Sequence, residues 1–556
     1  MTHPTSRLTR SGGLVVAIAF VATAAATGSA AADSYVPVSG AGSTWSYNAI
    51  EQWRKNVNQY GLRVNYASTG SSDGRNQFRN GSVDFAVSEI PYGLKDGGVV
   101  DSPPTRKYAY MPIVAGGTSF MYNLKIGGKR VTSLRLSGET VTKIFTGVIT
   151  SWADAQIKKE NPGLILPARR IVPVVRGDGS GTTAQFTSFM ASESPSLWDA
   201  YCRRANRPTP CGTTSIYPVL SGSGFTAQAG SLGVAGYVSQ QQNEGTITYV
   251  EYSYAINARF PVVKLLNKAG YYVPPTAQNV AVGLLKASIN EDPSSPRYLT
   301  PDLSGVYRNA DARAYPLSSY SYMIVPTVAE GTFSEAKGKS LGAFAYYFLC
   351  EGQKQASLLG FSPLPINLVK AGLTQVKRIP GVKVEAVDIK KCNNPTFSAD
   401  GTNTLAKTAP FPAACDKSGP LQCGTSKSGG SNGGSGSGGG SSGGGTTTGG
   451  TTTGGSTTGG TTTGGTTTGG TTTGGTATGG ATTIDPDTGQ VVPVSGDGTS
   501  TDGGTGVAVA AVPVSTSAGA VGSSSTTLIV LAAAVLFGAI IIPPLVARAL
   551  RKDGTA

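Results

Sequence analysis

The sequence predicts an α/β fold of two domains built on a largely parallel sheet. Three observations lead to this prediction. Residues 33–400 have ordinary globular composition, and this segment is longer than a domain with a single hydrophobic core usually is. Segments of strand-like and helix-like periodicity alternate along this stretch. Gly-rich loops occur where strand patterns give way to helix patterns, at the sheet edge where α/β proteins bind ligands.

The alternation is clearest near the start of this region. A Gly-rich turn at 40–45 comes first, and a small-residue loop at 69–74 opens a short helix. The apolar positions are spaced as on a helix at Ile50, Trp53, Val57 and Tyr60, and as on strands at Leu62, Val64 and Tyr66 and again at Val83, Phe85 and Val87. Gly61 predicts the end of the first helix.

The later elements follow the same scheme. Strands are predicted at 108–126, 171–175, 245–252 and 318–325, helices at 184–191 and 341–359, and a helix followed by a turn at 139–152. The last of these is a long packed helix with Cys350 inside it.

The stretch from Arg176 to Thr183 predicts an anion site. It joins a buried strand to a helix, so backbone N–H groups and the positive end of the helix dipole face the loop. Arg176 offers a guanidinium that binds tetrahedral oxyanions bidentately, and Ser180, Thr182 and Thr183 add hydroxyls. The alternative is a Gly-rich turn in which Asp178 and Ser180 cap the next helix, since one such loop is a weak signal.

Both ends of the chain carry export and membrane signals. Residues 1–32 combine a basic start, an uncharged run and an Ala-x-Ala site, which predicts a signal peptide. Residues 424–526 are rich in Gly, Ser and Thr and predict a disordered, flexible linker. Residues 527–547 are uncharged and mostly apolar, which predicts one transmembrane helix, and the basic residues of 548–556 place that tail in the cytoplasm. We therefore expect an exported protein, anchored by its C-terminal helix, with its globular part extracellular.

The composition argues against the commonest catalytic chemistries. The only His, His3, lies in the predicted signal peptide, so the mature chain has no imidazole base or ligand. Phe333 stands where a Walker A loop ending in Gly338-Lys339-Ser340 requires Gly. These features indicate a binding protein with no catalytic residue, metal or cofactor. The net charge of +14 favours an anionic ligand, and the scattered Lys and Arg do not indicate nucleic-acid binding.

The six cysteines predict disulfide bonds. An even number in an exported chain favours pairing, although six cysteines allow many connectivities. Proximity along the chain favours Cys202–Cys211 and Cys415–Cys423 as local bonds, which leaves Cys350–Cys392.

Taken together, the loops of residues 38–370 resemble those of the phosphate-binding protein of the phosphate ABC transporter. Members of that family are substrate-binding proteins with the two-lobed α/β fold known as type II, or Venus flytrap. The matching motifs follow the family's order: GAGST at 40–44, TGSSDG at 69–74, VDFAVSEIP at 83–91, KIFTGVITSW at 143–152, NPGLILP at 161–167, RGDGSGTT at 176–183, ITYVEYSYA at 247–255 and YPLSSYSYMIVP at 315–326.

The resemblance implies one phosphate held between two lobes. The residues it carries over are the Thr44 hydroxyl, the Trp45 backbone N–H, Ser71 and Glu89 on the first lobe, and Arg176, Ser180, the Gly181 N–H and Thr182 on the second. It also implies a first lobe of 33–115 and 256–400, a second lobe of 116–255, and hinge crossings near Ile113 and Glu251. Residues 401–423 are then a disulfide-clipped tail, and lobe closure completes the site.

Two carboxylates belong to this predicted site. The family commonly has Asp where Glu89 stands, and Phe where Trp45 stands. A carboxylate at 89 accepts the proton that hydrogen phosphate carries and sulfate lacks, and the longer Glu side chain changes its geometry. We expect Asp178 to act as a turn residue and also to orient Arg176, while a helix cap is the alternative role for Ser71.

Two functions fit the sequence. The first is a monomeric extracytoplasmic protein that captures inorganic phosphate and delivers it to an ABC permease. The alternative is a membrane-anchored surface protein for adhesion or phosphate sensing on the same fold, which the Thr/Gly-rich stalk favours. A phosphatase is disfavoured, because the predicted mature chain lacks both His and a metal-ligand cluster.

Overall fold

The structure, a computed structural model, describes residues 35–96, 98–387, 389–392, 394–398 and 402–424, together with two short strands at 482–484 and 491–493. Contacts divide the chain into two units, Met1–Gly436 and Ser437–Ala556. The second unit contributes an antiparallel pair of strands, Thr482–Ile484 with Val491–Pro493, which are mostly β-branched.

Several predictions concern residues outside the described ranges. The signal peptide at 1–32, the transmembrane helix at 527–547 and the tail at 548–556 lie wholly outside them. The predicted linker at 424–526 does so too, apart from Gly424 and the two strands just named, which were not predicted. Within the described part of the chain, none of the helices has the length and apolar character needed to cross a membrane.

The first unit is built on an eight-stranded mixed sheet in the order β11-β10-β12-β6-β17-β3-β1-β2. Its strands are β1 Val38–Gly42, β2 Val64–Ala67, β3 Phe85–Ser88, β6 Tyr108–Tyr122, β10 Val172–Arg176, β11 Thr226–Gln228, β12 Thr246–Glu251 and β17 Ser318–Pro326. Short strands complete the set: β4 Lys95–Asp96, β5 Val99–Val100, β7 Lys125–Ile126, β8 Lys129–Arg130, β9 Arg135–Leu136, β13 Lys264–Leu266, β14 Tyr272–Val273, β15 Ser288–Ile289 and β16 Pro301–Asp302.

The large sheet is parallel at both ends and antiparallel at its centre. Strand β1 runs parallel to β2 and β3, and β10 runs parallel to β11 and β12. Strand β6 is antiparallel to β12 and β17, and β17 is antiparallel to β3. The predicted largely parallel sheet is therefore correct only for the two ends. Alternating strand and helix patterns identify βαβ units, whereas the direction of the long central strands depends on the path of the whole chain.

Strand β6 connects two lobes. Its first part, up to Gly117, pairs with β17, and its last part, from Thr118, pairs with β12. The first lobe is thus built around β1–β3 and β17, and the second around β10–β12. The predicted crossing near Ile113 lies further along the strand, at Gly117–Thr118, while β12 ends at the other predicted crossing, Glu251.

The segment after this second crossing does not return at once to the first lobe. Strand β13 pairs with β9, and Val262 bridges Met121 at the end of β6. Residues 262–273 therefore stay beside the second lobe, although the sequence assigned 256–400 to the first. Pairing between short strands distant in sequence leaves no local signal, so the boundary could not be predicted.

The helices pack on both faces of the sheet. They are α1 Tyr47–Asn58, α2 Ser71–Arg79, α3 Gly138–Phe145, α4 Ala155–Glu160, α5 Gly181–Glu193, α6 Pro195–Arg204, α7 Gly230–Ser239, α8 Tyr252–Ala258, α9 Ala277–Leu284, α10 Ser304–Tyr307, α11 Glu335–Leu349, α12 Ile366–Val376 and α13 Thr404–Lys407. Ile50, Trp53 and Val57 are buried on α1 as predicted, whereas Tyr60 lies beyond the helix end and is exposed.

Helix α11 is shorter than predicted. It ends at Leu349, Cys350 follows with a non-helical backbone, and a 3₁₀ turn occupies Glu351–Gln355. This turn packs closely on α1, since a Cβ on Gly352 would lie 2.7 Å from the Trp53 indole nitrogen. The prediction of one helix through 359 with Cys350 inside it was wrong.

The cysteine pairing is confirmed. Disulfide bonds join Cys202 to Cys211, Cys350 to Cys392 and Cys415 to Cys423. The last bond closes the end of the tail, residues 415–423, which packs on the second lobe. The buried Arg135 guanidinium holds the tail there by donating to the backbone oxygens of Cys415, Gly419 and Leu421, and Lys264 pairs with Asp416 at 2.7 Å.

Candidate functional site

Loops from both lobes meet at the N-terminus of α5. The first lobe supplies the loop after β1, the start of α2 and the end of β3. The second lobe supplies the loop between β10 and α5 and the start of α7. Each loop follows a strand at its carboxyl end or opens a helix, so N–H groups and short polar side chains are directed into the same space.

Arg176 is the central cation. It is the last residue of β10 and is only 2% exposed. One edge of its guanidinium is bound by Asp178, with Nε 2.7 Å from Oδ1 and Nη2 paired to Oδ2. The other edge, at Nη1, faces the hydroxyls of Ser231 at 3.3 Å and Thr182 at 3.5 Å. Asp178 therefore fixes the direction in which Arg176 presents its remaining donors.

Asp178 is itself held in place. Its Oδ1 accepts from the Gly230 backbone N–H at 2.9 Å, at the start of α7. Burial opposes ionisation, but the hydrogen bonds and the charge of Arg176 outweigh it and lower the pKa of Asp178. The carboxylate is thus charged at neutral pH, and the expectation that it orients Arg176 agrees with this geometry.

A cluster of hydroxyls spans the cleft beside Arg176. The Thr44 and Ser231 hydroxyls share a hydrogen bond of 2.8 Å, and the Ser231 N–H donates to Thr44 Oγ1 at 3.2 Å. Thr182 is 1% exposed. Ser231 was missed by the sequence analysis. The available signal was the stretch Ala229-Gly230-Ser231, which leads from β11 into the first residues of α7 and has the same strand–small residue–helix order as the other loops.

Glu89 provides the acceptor of the site. The Ser43 hydroxyl donates to its Oε1 at 2.6 Å, the Ser71 hydroxyl to its Oε2 at 2.8 Å, and the Ser321 hydroxyl also to Oε1. Burial raises the pKa of Glu89, and these hydroxyls together with Arg176 oppose that rise. Ser43 and Ser321 were not predicted, although both lie in the motifs at 40–44 and 315–326.

The lobes touch at Gly181. Its N–H donates to Ser71 Oγ at 3.2 Å, and a Cβ added to Gly181 would lie 2.0 Å from Glu89 Oε2. Nearby, the Ser72 N–H donates to the Gly179 oxygen at 3.1 Å. These contacts describe a closed arrangement in which residue 181 must be glycine.

Two predicted residues have other partners here. The Trp45 N–H donates to Ser43 Oγ at 3.0 Å, and its buried ring packs edge-on to Phe361. Ser180 caps α5, accepting from the Thr183 N–H at 3.2 Å. Thr44, Ser71, Glu89, Arg176, Asp178, Gly181 and Thr182 are brought together as predicted.

A second buried carboxylate lies at the hinge. Glu251 is fully buried, and its Oε2 accepts from the Ser253 N–H at 2.7 Å. Its Oε1 has no hydrogen-bond partner among the residues that the structure describes. Burial, with a smaller contribution from the charge of Glu89, raises the pKa of Glu251 well above its usual value.

The arrangement has the chemistry of an oxyanion site. A guanidinium edge, several hydroxyls and a helix N-terminus supply donors, and Glu89 supplies one acceptor. Within the described residues no group of His, Cys, Asp or Glu could hold a metal ion.

Comparison with known proteins places the chain in a family. A model of the PBP superfamily domain matches residues 22–351. The phosphate-binding protein PstS of Xylella fastidiosa (strain Temecula1) is 34% identical over 339 residues, covering 60% of this chain and 83% of that protein. The chain belongs to the PstS family. The PstS of Methanocaldococcus jannaschii is 30% identical over 354 residues, covering 61% of this chain and 85% of that protein.

Solved structures also align with part of the chain. A crystal structure of a phosphate-binding protein from Stenotrophomonas maltophilia is 17% identical with a TM-score of 0.43, covering 66% of this chain and 99% of that one. PstS-family membership agrees with the resemblance drawn from the motifs, and with the two-lobed α/β fold.

Proposed function

We propose that this protein binds hydrogen phosphate between its two lobes, outside the cytoplasm, and delivers it to a phosphate ABC permease. It is a binding protein and not an enzyme. The observation that carries the proposal is the combination at the N-terminus of α5 of Arg176, whose free edge faces hydroxyls, with the buried acceptor Glu89.

This combination suits a protonated tetrahedral anion. The unprotonated oxygens of hydrogen phosphate accept from Arg176, from hydroxyls such as Thr44, Thr182 and Ser231, and from the Gly181 N–H. Its P–OH group donates to Glu89. Sulfate has no proton to donate at neutral pH, so it leaves a buried acceptor unpaired beside a second anion.

The predicted export and anchoring segments complete the proposal. Residues 1–32 would direct secretion, and the apolar run at 527–547, followed by Arg548, Arg551 and Lys552, would anchor the chain with its lobes outside. The Gly/Thr-rich stretch would let a monomer reach the permease while keeping it near the membrane.

Calorimetric titration of the purified protein with phosphate and with sulfate near neutral pH tests the proposal. We expect micromolar or tighter phosphate binding and no sulfate heat. Arg176→Ala should abolish phosphate binding without unfolding the protein, because it removes an anion partner and no core. Binding of neither anion by folded wild-type protein would contradict the proposal and favour the surface-interaction alternative.

Glu89→Gln tests the role of the acceptor. An amide can donate to sulfate, so the phosphate-to-sulfate affinity ratio should fall by about 100-fold or more. Glu139→Gln is the matched control, since Glu139 pairs with Lys143 on the surface of α3, away from these loops. An unchanged ratio in Glu89→Gln would show that Glu89 does not recognise the proton.

A further inference from the structure

A short hairpin extends from the first lobe outside the predicted phosphate ligands. It consists of β4 and β5, which pair Lys95 with Val100 and Asp96 with Val99. Backbone bonds at Gly93 and Leu94 close its base on Asp101.

The base of the hairpin is fixed to the first lobe. The Asp101 carboxylate pairs with Arg75 at 2.8 Å and with Arg79, both on α2. The Arg297 guanidinium donates to the Gly93 oxygen at 3.0 Å. The position of Asp96 is therefore tied to that of α2.

The side chain of Asp96 binds the second lobe. Its Oδ2 accepts from the Ser215 backbone N–H at 2.7 Å and from the Ser215 hydroxyl, and its Oδ1 accepts from the Thr214 hydroxyl. All of these donors are neutral, and Thr214 and Ser215 are 2% and 4% exposed. A carboxylate of one lobe thus occupies a set of donors on the other.

Those donors are connected to the helix that forms the anion site. The Ser180 N–H, at the N-cap of α5, donates to the Ser215 oxygen at 2.9 Å. Thr214 exchanges two hydrogen bonds with the Thr187 hydroxyl on the same helix. Across the cleft, the Ser72 hydroxyl donates to Ser215 Oγ at 3.1 Å.

We propose that Asp96 is a latch between the lobes, which holds residues 214–215 and the N-terminus of α5 against the first lobe in the closed form. Opening the cleft breaks its bonds to the second lobe together. This proposal rests on the proposed function. It adds to that function a residue, Asp96, that determines how long phosphate is retained. Because Asp96 is not among the predicted ligands, it contributes to closure without contributing to the choice of anion.

The test is stopped-flow phosphate binding to the purified full-length protein. Asp96→Ala should dissociate phosphate about 10-fold faster, with Asp96→Asn intermediate because one acceptor oxygen remains. The association rate and the phosphate-to-sulfate ratio should not change, since encounter and recognition occur before and apart from latching. Lys95→Gln, an exposed change on the same hairpin, is the control and should behave as wild type.

Hydrogen exchange, measured with phosphate and without it, supplies a second readout. The Ser215 N–H is bonded to Asp96, so amides around residue 215 should exchange faster in Asp96→Ala than in Lys95→Gln. Wild-type dissociation rate and wild-type exchange in Asp96→Ala would overturn the latch while leaving phosphate binding intact. If the wild-type protein binds no phosphate, it is the proposed function that fails. In that case wild-type exchange around residue 215 in Asp96→Ala would still refute the contact between Asp96 and the second lobe.

Discussion

The contact at Gly181 gives the sharpest test of the closed site. Gly181 is the first residue of α5, and its φ is not in the positive region, so alanine is compatible with the backbone. The added Cβ would lie 2.0 Å from Glu89 Oε2, 2.6 Å from Ser71 Oγ and 3.0 Å from Glu89 Cβ. Gly181→Ala therefore places a methyl group between the two lobes.

The size of the effect follows from how far the neighbours must move. Ordinary van der Waals contact lies at 3.4–4 Å, so Glu89 or the whole lobe must recede by roughly 1.4 Å or more. Glu89 cannot rotate away freely, because it accepts from Ser43, Ser71 and Ser321. Overpacking of this kind costs about 1–3 kcal/mol, which corresponds to phosphate affinity about 5- to 150-fold weaker.

Stability should change in the opposite direction. Alanine is favoured over glycine in a helix by about 0.5–1 kcal/mol, so the ligand-free protein should be as stable as wild type or slightly more so. Calorimetric titration and thermal unfolding of the same sample measure both quantities. Gly236→Ala on α7 is the matched control, because its Cβ meets nothing within 4 Å. Wild-type phosphate affinity in Gly181→Ala would refute the closed geometry.

Two further predictions concern groups buried outside the anion site. Because burial raises the pKa of Glu251, the folded protein holds a proton that the unfolded chain releases, and stability is lost as pH rises from the usual Glu pKa towards the raised value. At pH 7 the free energy of unfolding of Glu251→Gln should therefore exceed that of wild type by about 1–3 kcal/mol, which raises its unfolding temperature, whereas near pH 4 the two proteins should be equally stable. Equal unfolding temperatures at pH 7 would contradict this. Arg135→Met removes the donors that hold the oxygens of Cys415, Gly419 and Leu421, so limited proteolysis should cut residues 411–424 faster and stability should fall by about 2–4 kcal/mol. Arg130→Met, which loses one bond to an exposed backbone oxygen, is the control, and equal cleavage of the two variants would show that Arg135 does not retain the tail.

Burial and charge account for the difference between Glu89 and Glu251. Glu89 accepts from three hydroxyls and lies within the field of the Arg176 charge, whereas one oxygen of Glu251 has no hydrogen-bond partner in the described part of the chain. We propose that the first carboxylate accepts a hydrogen bond from the P–OH group of the ligand. The second is expected to hold its own proton at the hinge.

The sequence by itself determined the elements whose signals are local. The run from Arg176 to Thr183 identified a strand, a loop and a helix N-terminus, because glycine, hydroxyl residues and apolar spacing act over a few residues. Proximity identified the disulfides Cys202–Cys211 and Cys415–Cys423, and the motif resemblance predicted Thr44, Ser71 and Glu89 as phosphate ligands.

Only the tertiary structure decided how distant segments meet. The antiparallel centre of the sheet, the return of 262–273 beside β9 and the end of α11 at Leu349 depend on packing between segments far apart in the chain. The same is true of Ser231 and Asp96, ordinary polar residues whose roles arise from partners on the opposite lobe. The local sequence determines which donors and acceptors a loop carries. The closed fold determines which groups of other segments lie opposite them, because side chains from separate elements come together only in the folded protein.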